Sequence, residues 1–242
     1  NVVFEFKATD KDGDFASATH VLTVGAEPTT IRVTGNITAN TTWVTGKTYI
    51  LGSRVIVTNG AKLTIQKGVI VKGEAGTGAN ATALIIARGA QIDAQGTATE
   101  PIIFTSIADE IQPGQVASPN LEPTIEGLWG GVLILGRARS SFAGDVQEVQ
   151  IEGIPASDTN GLYGGTNDTD NSGILKFISI RHGGALIGEG NEINGLTLGG
   201  VGSGTVIENV EVVANQDDGI EWFGGTVSVK NALVWNSGDD AV

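Results

Sequence analysis

Apolar and polar residues alternate over short stretches along most of the chain, and glycine or asparagine interrupts the alternation every few residues. The run RVIVTNGAKLTIQKGVIVKG, residues 54–73, is representative. Alternation with a period of two predicts short β-strands, and the interrupting glycines predict tight turns between them. No window keeps the apolar spacing of an amphipathic helix for three turns. We therefore predict an all-β fold.

The strand pattern repeats at a regular interval near the end of the chain. A shift of 22 residues places the strand at 206–213 over a second strand, and Asn209 then falls on Asn231. An earlier and weaker repeat places residues 60–68 over residues 89–96, a shift of about 29. A repeat of this length, built from several short strands, predicts one coil of a parallel β-helix. The two asparagines would then form a hydrogen-bonded ladder between coils.

The beginning of the chain has a different pattern. Two alternating stretches, 2–8 and 16–24, flank the acidic turn DKDGD and predict a β-hairpin, and the following GAEPTT predicts a linker. An isolated hairpin is only marginally stable in water, so we expect these strands to belong to a sandwich. The run ATDKDGDFASATHVLTV resembles the last two strands of Ig-like or cadherin-like repeats of bacterial adhesins. We predict an Ig-like segment at 1–27 and a solenoid at 28–242.

Composition and charge exclude several classes of function. The net charge of −13 and the scattering of only 14 basic residues argue against nucleic acid as a partner, because phosphate binding needs clustered Lys and Arg. No apolar run is long enough to span a membrane. The chain has no cysteine, which excludes disulfides, thiol catalysis and thiolate-bound metals.

Two Asp-Asp pairs lie one repeat apart, and they are the first candidates for chemistry. In stacked coils, equivalent carboxylates lie roughly 5 Å apart and repel each other unless they are hydrated, protonated or bridged by a cation. Three interpretations stay open: solvated turns, a calcium site, or the carboxylate pair that glycoside hydrolysis requires. The four residues are Asp217, Asp218, Asp239 and Asp240.

Two further acidic runs place oxygen donors at the first, third and fifth positions of a calcium loop. Neither run has a Glu at the twelfth position, so an EF-hand is excluded, but a looser calcium site or an ordinary Asx-rich turn remains open. The candidate calcium ligands in the first run are Asp10, Asp12 and Asp14, and those in the second are Asp168 and Asp170.

Aromatic side chains supply the usual platforms for sugars. Trp222 and Phe223 precede two glycines at a predicted turn and are the candidate ligand-binding residues. Trp235 falls over Val213 in the repeat, and we expect it in the core or in a capping stack. His182 lies in the run IRHGG, where we expect an exposed bend and a structural or surface role rather than catalysis.

Several longer motifs resemble one family. The runs GLWGGVLILGRA, YGGTNDTDNSGILKFISIRHGG and DDGIEWFGGTV closely resemble secreted right-handed β-helix proteins of Bacteroidota, described as surface proteins, lipoproteins or type IX secretion cargo. The resemblance implies a right-handed parallel β-helix, an extracellular or outer-surface location and no established catalytic residues. It also implies further coils beyond residue 242.

A narrower resemblance points to an enzyme. Polygalacturonase-type β-helix hydrolases carry an N-x-D on one coil and a D-D on the next, as do the runs 215–217 and 239–240 here. This resemblance implies Asp239 or Asp240 as general acid, with Asp217 and the other member activating water. The His and Arg/Lys motifs of those enzymes have no counterpart here.

These observations favour an exported structural or adhesive protein that binds polysaccharide or other cell-surface components without catalysis, with calcium as its candidate cofactor. The alternative is a polysaccharide hydrolase or lyase. Neither the ligand nor the oligomeric state follows from the sequence.

Overall fold

The protein is described by a computed structural model that covers residues 2–22, 29–188 and 191–242. Regular structure in these residues is almost entirely β, as predicted, with three short 3-10 turns at Gly78–Asn80, Ala143–Asp145 and Thr159–Gly161. The strands are β1 Val2–Thr9, β2 Phe15–Leu22, β3 Thr30–Val33, β4 Thr41–Trp43, β5 Thr48–Leu51, β6 Arg54–Val57, β7 Lys62–Ile65, β8 Ile70–Gly73, β9 Ala83–Ile86, β10 Gln91–Gln95, β11 Ile102–Ser106, β12 Val132–Leu135, β13 Val149–Gln150, β14 Leu162–Tyr163, β15 Gly173–Arg181, β16 Leu186–Gly188, β17 Asn191–Glu192, β18 Leu196–Gly199, β19 Val206–Val213, β20 Ile220–Phe223 and β21 Val229–Trp235.

Two parallel sheets form the body of the molecule. One has five strands in the order β20-β18-β12-β9-β6, and the other has ten, including β7, β10, β15, β19 and β21. The long strand β15 bends, because its first half pairs with β10 and its second half pairs with β11. The ten-stranded sheet therefore supplies two faces of each coil and the five-stranded sheet supplies the third. This confirms the predicted parallel β-helix.

Both repeats seen in the sequence set the strand register. Leu63 of β7 lies beside Ile92 of β10, and Ile207 of β19 lies beside Val229 of β21. The bend within β19 and β21 falls at Asn209 and Asn231, whose φ angles are 57° and 56°. Asparagine tolerates this left-handed conformation better than most residues. The Asn231 Nδ2 donates to Asn209 Oδ1 at 3.1 Å, which confirms the predicted ladder.

The core consists of columns of apolar side chains that run along the solenoid axis. Equivalent positions on consecutive coils stack because paired parallel strands place in-register residues side by side. One column lines the five-stranded sheet. Another lines the face of the ten-stranded sheet that is formed by β8, β11 and the second halves of β15, β19 and β21. The first contains Val55, Leu84, Val132, Leu196 and Ile220, and the second contains Val71, Phe104, Ile180, Val212 and Val234.

Two long loops between strands, called the first and second excursions, cover outward-facing apolar side chains of the coils. Residues 107–131 follow β11, and Ile111 in this excursion packs on Ile70 and Ile103. Residues 136–172 follow β12, and their apolar residues pack on the outer side of the five-stranded sheet. The excursions leave the strand register unchanged, since β12 pairs directly with β9.

The predicted N-terminal hairpin is present. Strands β1 and β2 pair antiparallel from Val2 and Leu22 to Thr9 and Phe15. The Ig-like module and the boundary between residues 27 and 28 stay predictions. Residues 23–28, which include the end of the second predicted strand and the first four residues of the proposed linker, lie outside the described residues. No helix in the described parts of the chain has the length and apolar character to cross a membrane.

Candidate cation and glycan site on the stacked turns

The Asp-Asp pairs lie on equivalent turns of adjacent coils. The Gly195 N–H donates to the Asp218 carbonyl at 3.0 Å, and the Gly219 N–H donates to the Asp240 carbonyl at 3.0 Å. The Asp240 N–H also donates to Asp218 Oδ1 at 2.9 Å. The two acidic pairs are therefore one turn that occurs twice, in the register that the 22-residue repeat predicts.

Three of the four carboxylates converge. Asp217, Asp218 and Asp239 each offer an oxygen, and these oxygens all lie within 4.8 Å of one another. This group is the one set in the described residues that has metal-ligand spacing. Asp240 does not belong to it, although its backbone N–H holds the Asp218 carboxylate in place. Three clustered carboxylates supply the hard oxygen ligands that calcium prefers.

The buried side chain of Asn215 fixes the shape of this turn. Its side chain is fully buried, and its Nδ2 donates to the Asp218 carbonyl at 2.8 Å and to the Ile193 carbonyl at 3.3 Å. The amide nitrogen therefore holds two coils together, while the buried Oδ1 has no hydrogen-bond partner among the described residues. In the N-x-D run, Asn215 is therefore a buried structural residue and Asp217 is a partly exposed residue of the acidic turn.

Glu221 is a functional candidate that the sequence reasoning missed. It follows the acidic turn on β20 and points outward beside Thr197. Its pKa is raised to about 7: burial is the largest cause, a hydrogen bond from Asn194 opposes it, and the negative charges of Asp218, Glu152 and Asp217 add to it. The Asn194 Nδ2 lies 2.5 Å from Glu221 Oε2. The outward position in the alternating strand, directly after Asp-Asp-Gly-Ile, is the signal that could have identified it.

The first predicted calcium run forms the hairpin turn. The Asp10 Oδ1 accepts hydrogen bonds from the N–H groups of Asp12 and Asp14 at 2.9 and 3.0 Å. Lys11 Nζ lies 3.1 Å from Asp12 Oδ1. These contacts are those of an Asx turn. Calcium binding at Asp10, Asp12 and Asp14 stays a prediction.

The second predicted run already has partners within the protein. Asp168 forms an ion pair with Arg139, and this hydrogen-bonded guanidinium lowers the pKa of the Asp168 carboxyl. Asp170 is nearly buried, and its Oδ2 accepts from the Arg137 N–H at 3.1 Å. Both carboxylates thus stabilise the return from the second excursion. Calcium binding at Asp168 and Asp170 stays a prediction.

The predicted aromatic platform packs against the protein. Trp222 is half-buried and contacts the main core. Phe223 packs edge-to-face on Tyr163, with ring centroids 6.1 Å apart and an interplanar angle of 68°. Ligand binding by Trp222 and Phe223 stays a prediction, and packing accounts for both side chains.

Two expectations about exposure are wrong: that Trp235 lies in the core and that His182 lies at an exposed bend. Trp235 does lie beside Val213, but 53% of its surface is exposed, because this strand position points away from the core. His182 is buried, with 2% exposure, and its Nδ1 lies 2.5 Å from the Ile125 carbonyl. Burial lowers the pKa of His182, so the ring is a neutral structural group that fixes the first excursion to β15.

Comparison with known proteins agrees with this architecture. A model of the family described as "Pectate-lyase like beta helix domain" matches residues 35–242. No curated protein and no solved structure matches the chain. The matched range contains both acidic turns and all strands from β4 to β21. The chain therefore belongs to the family of pectate-lyase-like β-helix domains.

Proposed function

We propose that this chain is an exported, extracellular or outer-surface β-helix domain that binds acidic polysaccharide through calcium, without catalysis. The observation that supports it is the convergence of Asp217, Asp218 and Asp239, whose carboxylate oxygens lie within 4.8 Å of one another. A divalent cation there would neutralise the repulsion between the carboxylates and leave coordination positions for an anionic sugar.

The strongly acidic composition supports this role for the cation. With a net charge of −13, the protein repels a polyanionic chain unless a cation bridges the two. The outer-surface location, the Bacteroidota source, the type IX secretion route and the Ig-like identity of the N-terminal hairpin belong to the same proposal. They rest on the sequence resemblances.

Calcium titration of the purified chain tests the proposal. We expect saturable binding by calorimetry and calcium-dependent retention on polygalacturonate or alginate beads, and we expect both to be lost in the double variant Asp217→Asn/Asp239→Asn. Asp93→Asn is the matched control, because Asp93 lies on β10, outside the cluster. Equal calcium binding by the double variant and the wild type would refute the site.

A hydrolase or lyase is the second candidate, and Glu221 favours it. A carboxyl with a pKa of about 7 is protonated in part at neutral pH, and the neighbouring aspartates supply a second carboxyl group as base or nucleophile. The candidate constellation is then Glu221 with Asp217, Asp239 and Asp240. This family membership is compatible with either function.

Product formation separates the two candidates. The enzyme hypothesis predicts reducing ends, or unsaturated products of elimination, from a panel of acidic and neutral polysaccharides. It also predicts at least about a hundredfold lower rate for Glu221→Gln, because loss of a general acid removes a factor of that order. The absence of any product from the wild-type protein across the panel would exclude catalysis on those substrates.

A further inference from the structure

A groove separate from the acidic turns lies between the first excursion and the ten-stranded sheet. It encloses about 370 Å³, within the range of small-ligand sites. One wall is the segment 117–123 of the excursion, the floor is formed by outward side chains of β15 and β19, and the other wall is Trp235 of β21.

The floor carries a half-buried ion pair with unused hydrogen-bonding capacity. Arg181 donates from Nε to Ser179 Oγ at 2.7 Å, from Nη1 to the Val116 carbonyl at 2.7 Å, and from Nη2 to Glu211 Oε2 at 3.4 Å. A guanidinium has five N–H groups, so two of them have no partner among the described residues. Glu211 Oε2 also accepts from Ser179 Oγ at 2.5 Å. Its Oε1 accepts no hydrogen bond within the described protein.

The walls are held in place before any ligand arrives. Asn236 Nδ2 donates to the Pro123 carbonyl at 2.7 Å and ties the turn after β21 to the excursion. Ser118 Oγ donates to the buried carboxylate of Asp109 at 2.8 Å. Both the segment 117–123 and the turn after Trp235 are therefore tied to neighbouring parts of the protein, and the Trp235 indole lies beside the polar floor. Pre-formed walls lower the entropic cost of binding.

This combination of groups matches one class of ligand. A flat aromatic ring stacks on the C–H face of a pyranose, and an Arg–Glu pair with free donors and acceptors binds neighbouring hydroxyl groups. Glu211 and Glu122 line the same groove and would repel a sugar carboxylate. A wholly apolar ligand would leave the Arg181 and Glu211 groups desolvated without partners.

We propose that the groove between segment 117–123 and Trp235 binds a neutral pyranose unit of a polysaccharide, independently of the cation proposed for the acidic turns. Trp235 stacks on the sugar, and Arg181 and Glu211 bind its hydroxyl groups. Binding in this groove depends on these side chains and needs no metal ion.

Calorimetry with neutral hexasaccharides of β-linked glucose, xylose, mannose and galactose, in excess EDTA, tests this proposal. We expect at least one of them to bind, and we expect Trp235→Ala to weaken that binding about tenfold, the loss of roughly 1.4 kcal/mol that a stacking contact supplies. Trp235→Phe keeps a ring and should retain most of the affinity. Leu233→Ala is the matched control, because Leu233 is an exposed apolar residue of the same strand outside the groove.

Two results would overturn the proposal: no neutral hexasaccharide binds, or Trp235→Ala binds as tightly as the wild type. A thermal melt checks that the variants are folded, which the exposure of Trp235 leads us to expect. Asp217→Asn/Asp239→Asn should bind the neutral sugar normally in EDTA. Sugar binding by this double variant in EDTA thereby distinguishes failure of the cation site from failure of the groove.

Discussion

Asn209 and Asn231 show how one residue type fixes a bend in the coil. Both have positive φ angles, and their side chains hydrogen-bond to each other across adjacent coils. The sequence predicted the ladder because both asparagines recur in one register. It did not predict Phe177, which has a φ of 49° at the corresponding bend of β15, so the ladder does not extend to that coil.

Substitutions of Asn209 separate the contribution of its side-chain hydrogen bond from that of its left-handed backbone conformation. We expect Asn209→Ala to destabilise the fold by about 2 kcal/mol, from a lost hydrogen bond and a left-handed residue with a Cβ. Asn209→Gly should cost less, about 1 kcal/mol, because glycine adopts that φ freely and only the hydrogen bond is lost. Urea unfolding monitored by circular dichroism measures both. An equal loss in the two variants would contradict the role of backbone conformation.

Glu221 should make stability depend on pH. Its folded pKa of about 7 lies above its ordinary value of 4.5. Between these two pH values the folded state therefore holds a proton that the unfolded state has lost. Stability should therefore be full below pH 4.5, fall as the pH rises, and reach its lower level above about pH 7.

Glu221→Gln should remove the loss of stability at high pH, because the amide cannot ionise. In excess chelator we expect the variant to be more stable than the wild type at pH 8, by on the order of 1 kcal/mol after screening by solvent, and nearly equal at pH 4. Chemical denaturation at both pH values provides the measurement. A variant less stable than the wild type at pH 8 would show that the ionised Glu221 is stabilising.

At the scale of elements, the excursion at 107–131 owes its shape to one buried carboxylate. Asp109 has no exposed surface, and it accepts from Thr105 Oγ1, the Ile111 N–H and Ser118 Oγ at 2.9, 3.0 and 2.8 Å. Lys72 Nζ donates to its backbone carbonyl at 2.5 Å, and burial lowers the pKa of that amine. The excursion is thus anchored on the coil although it has no strand of its own.

Asp109→Ala should release this excursion. Three hydrogen bonds to a buried carboxyl group are lost, and we expect a cost of about 3 kcal/mol together with faster amide hydrogen exchange across 107–131. Asp109→Asn keeps an acceptor for two of the donors and should show a smaller change. Unchanged exchange in Asp109→Ala would mean that apolar packing of Ile111 alone anchors the excursion.

At the scale of the molecule, the charge opposes folding. A net charge of −13 on 242 residues produces self-repulsion that salt screens. We expect the melting temperature to rise by a few degrees between about 0.01 and 0.15 M NaCl, the range over which the Debye length falls from about 30 to 8 Å. Differential scanning calorimetry measures the shift. A melting temperature that falls with salt would show that the ion pairs outweigh the repulsion.

The sequence by itself determined the fold class, the register of both repeats and the position of the asparagine ladder. These features depend on periodic patterns that are local or that recur one coil later, and parallel pairing carries such patterns directly into space. The sequence also identified the acidic turns, because identical turns in one register must stack.

Only the tertiary structure decided which side chains share a site. The exclusion of Asp240 from the carboxylate group, the raised pKa of Glu221 and the groove below Trp235 depend on two long excursions and on the outward direction of single side chains. Excursions have no period, and an aromatic residue at a repeat position packs inside or lies outside according to what covers it. Burial and distance between remote segments are properties of the folded chain, so no local pattern encodes them.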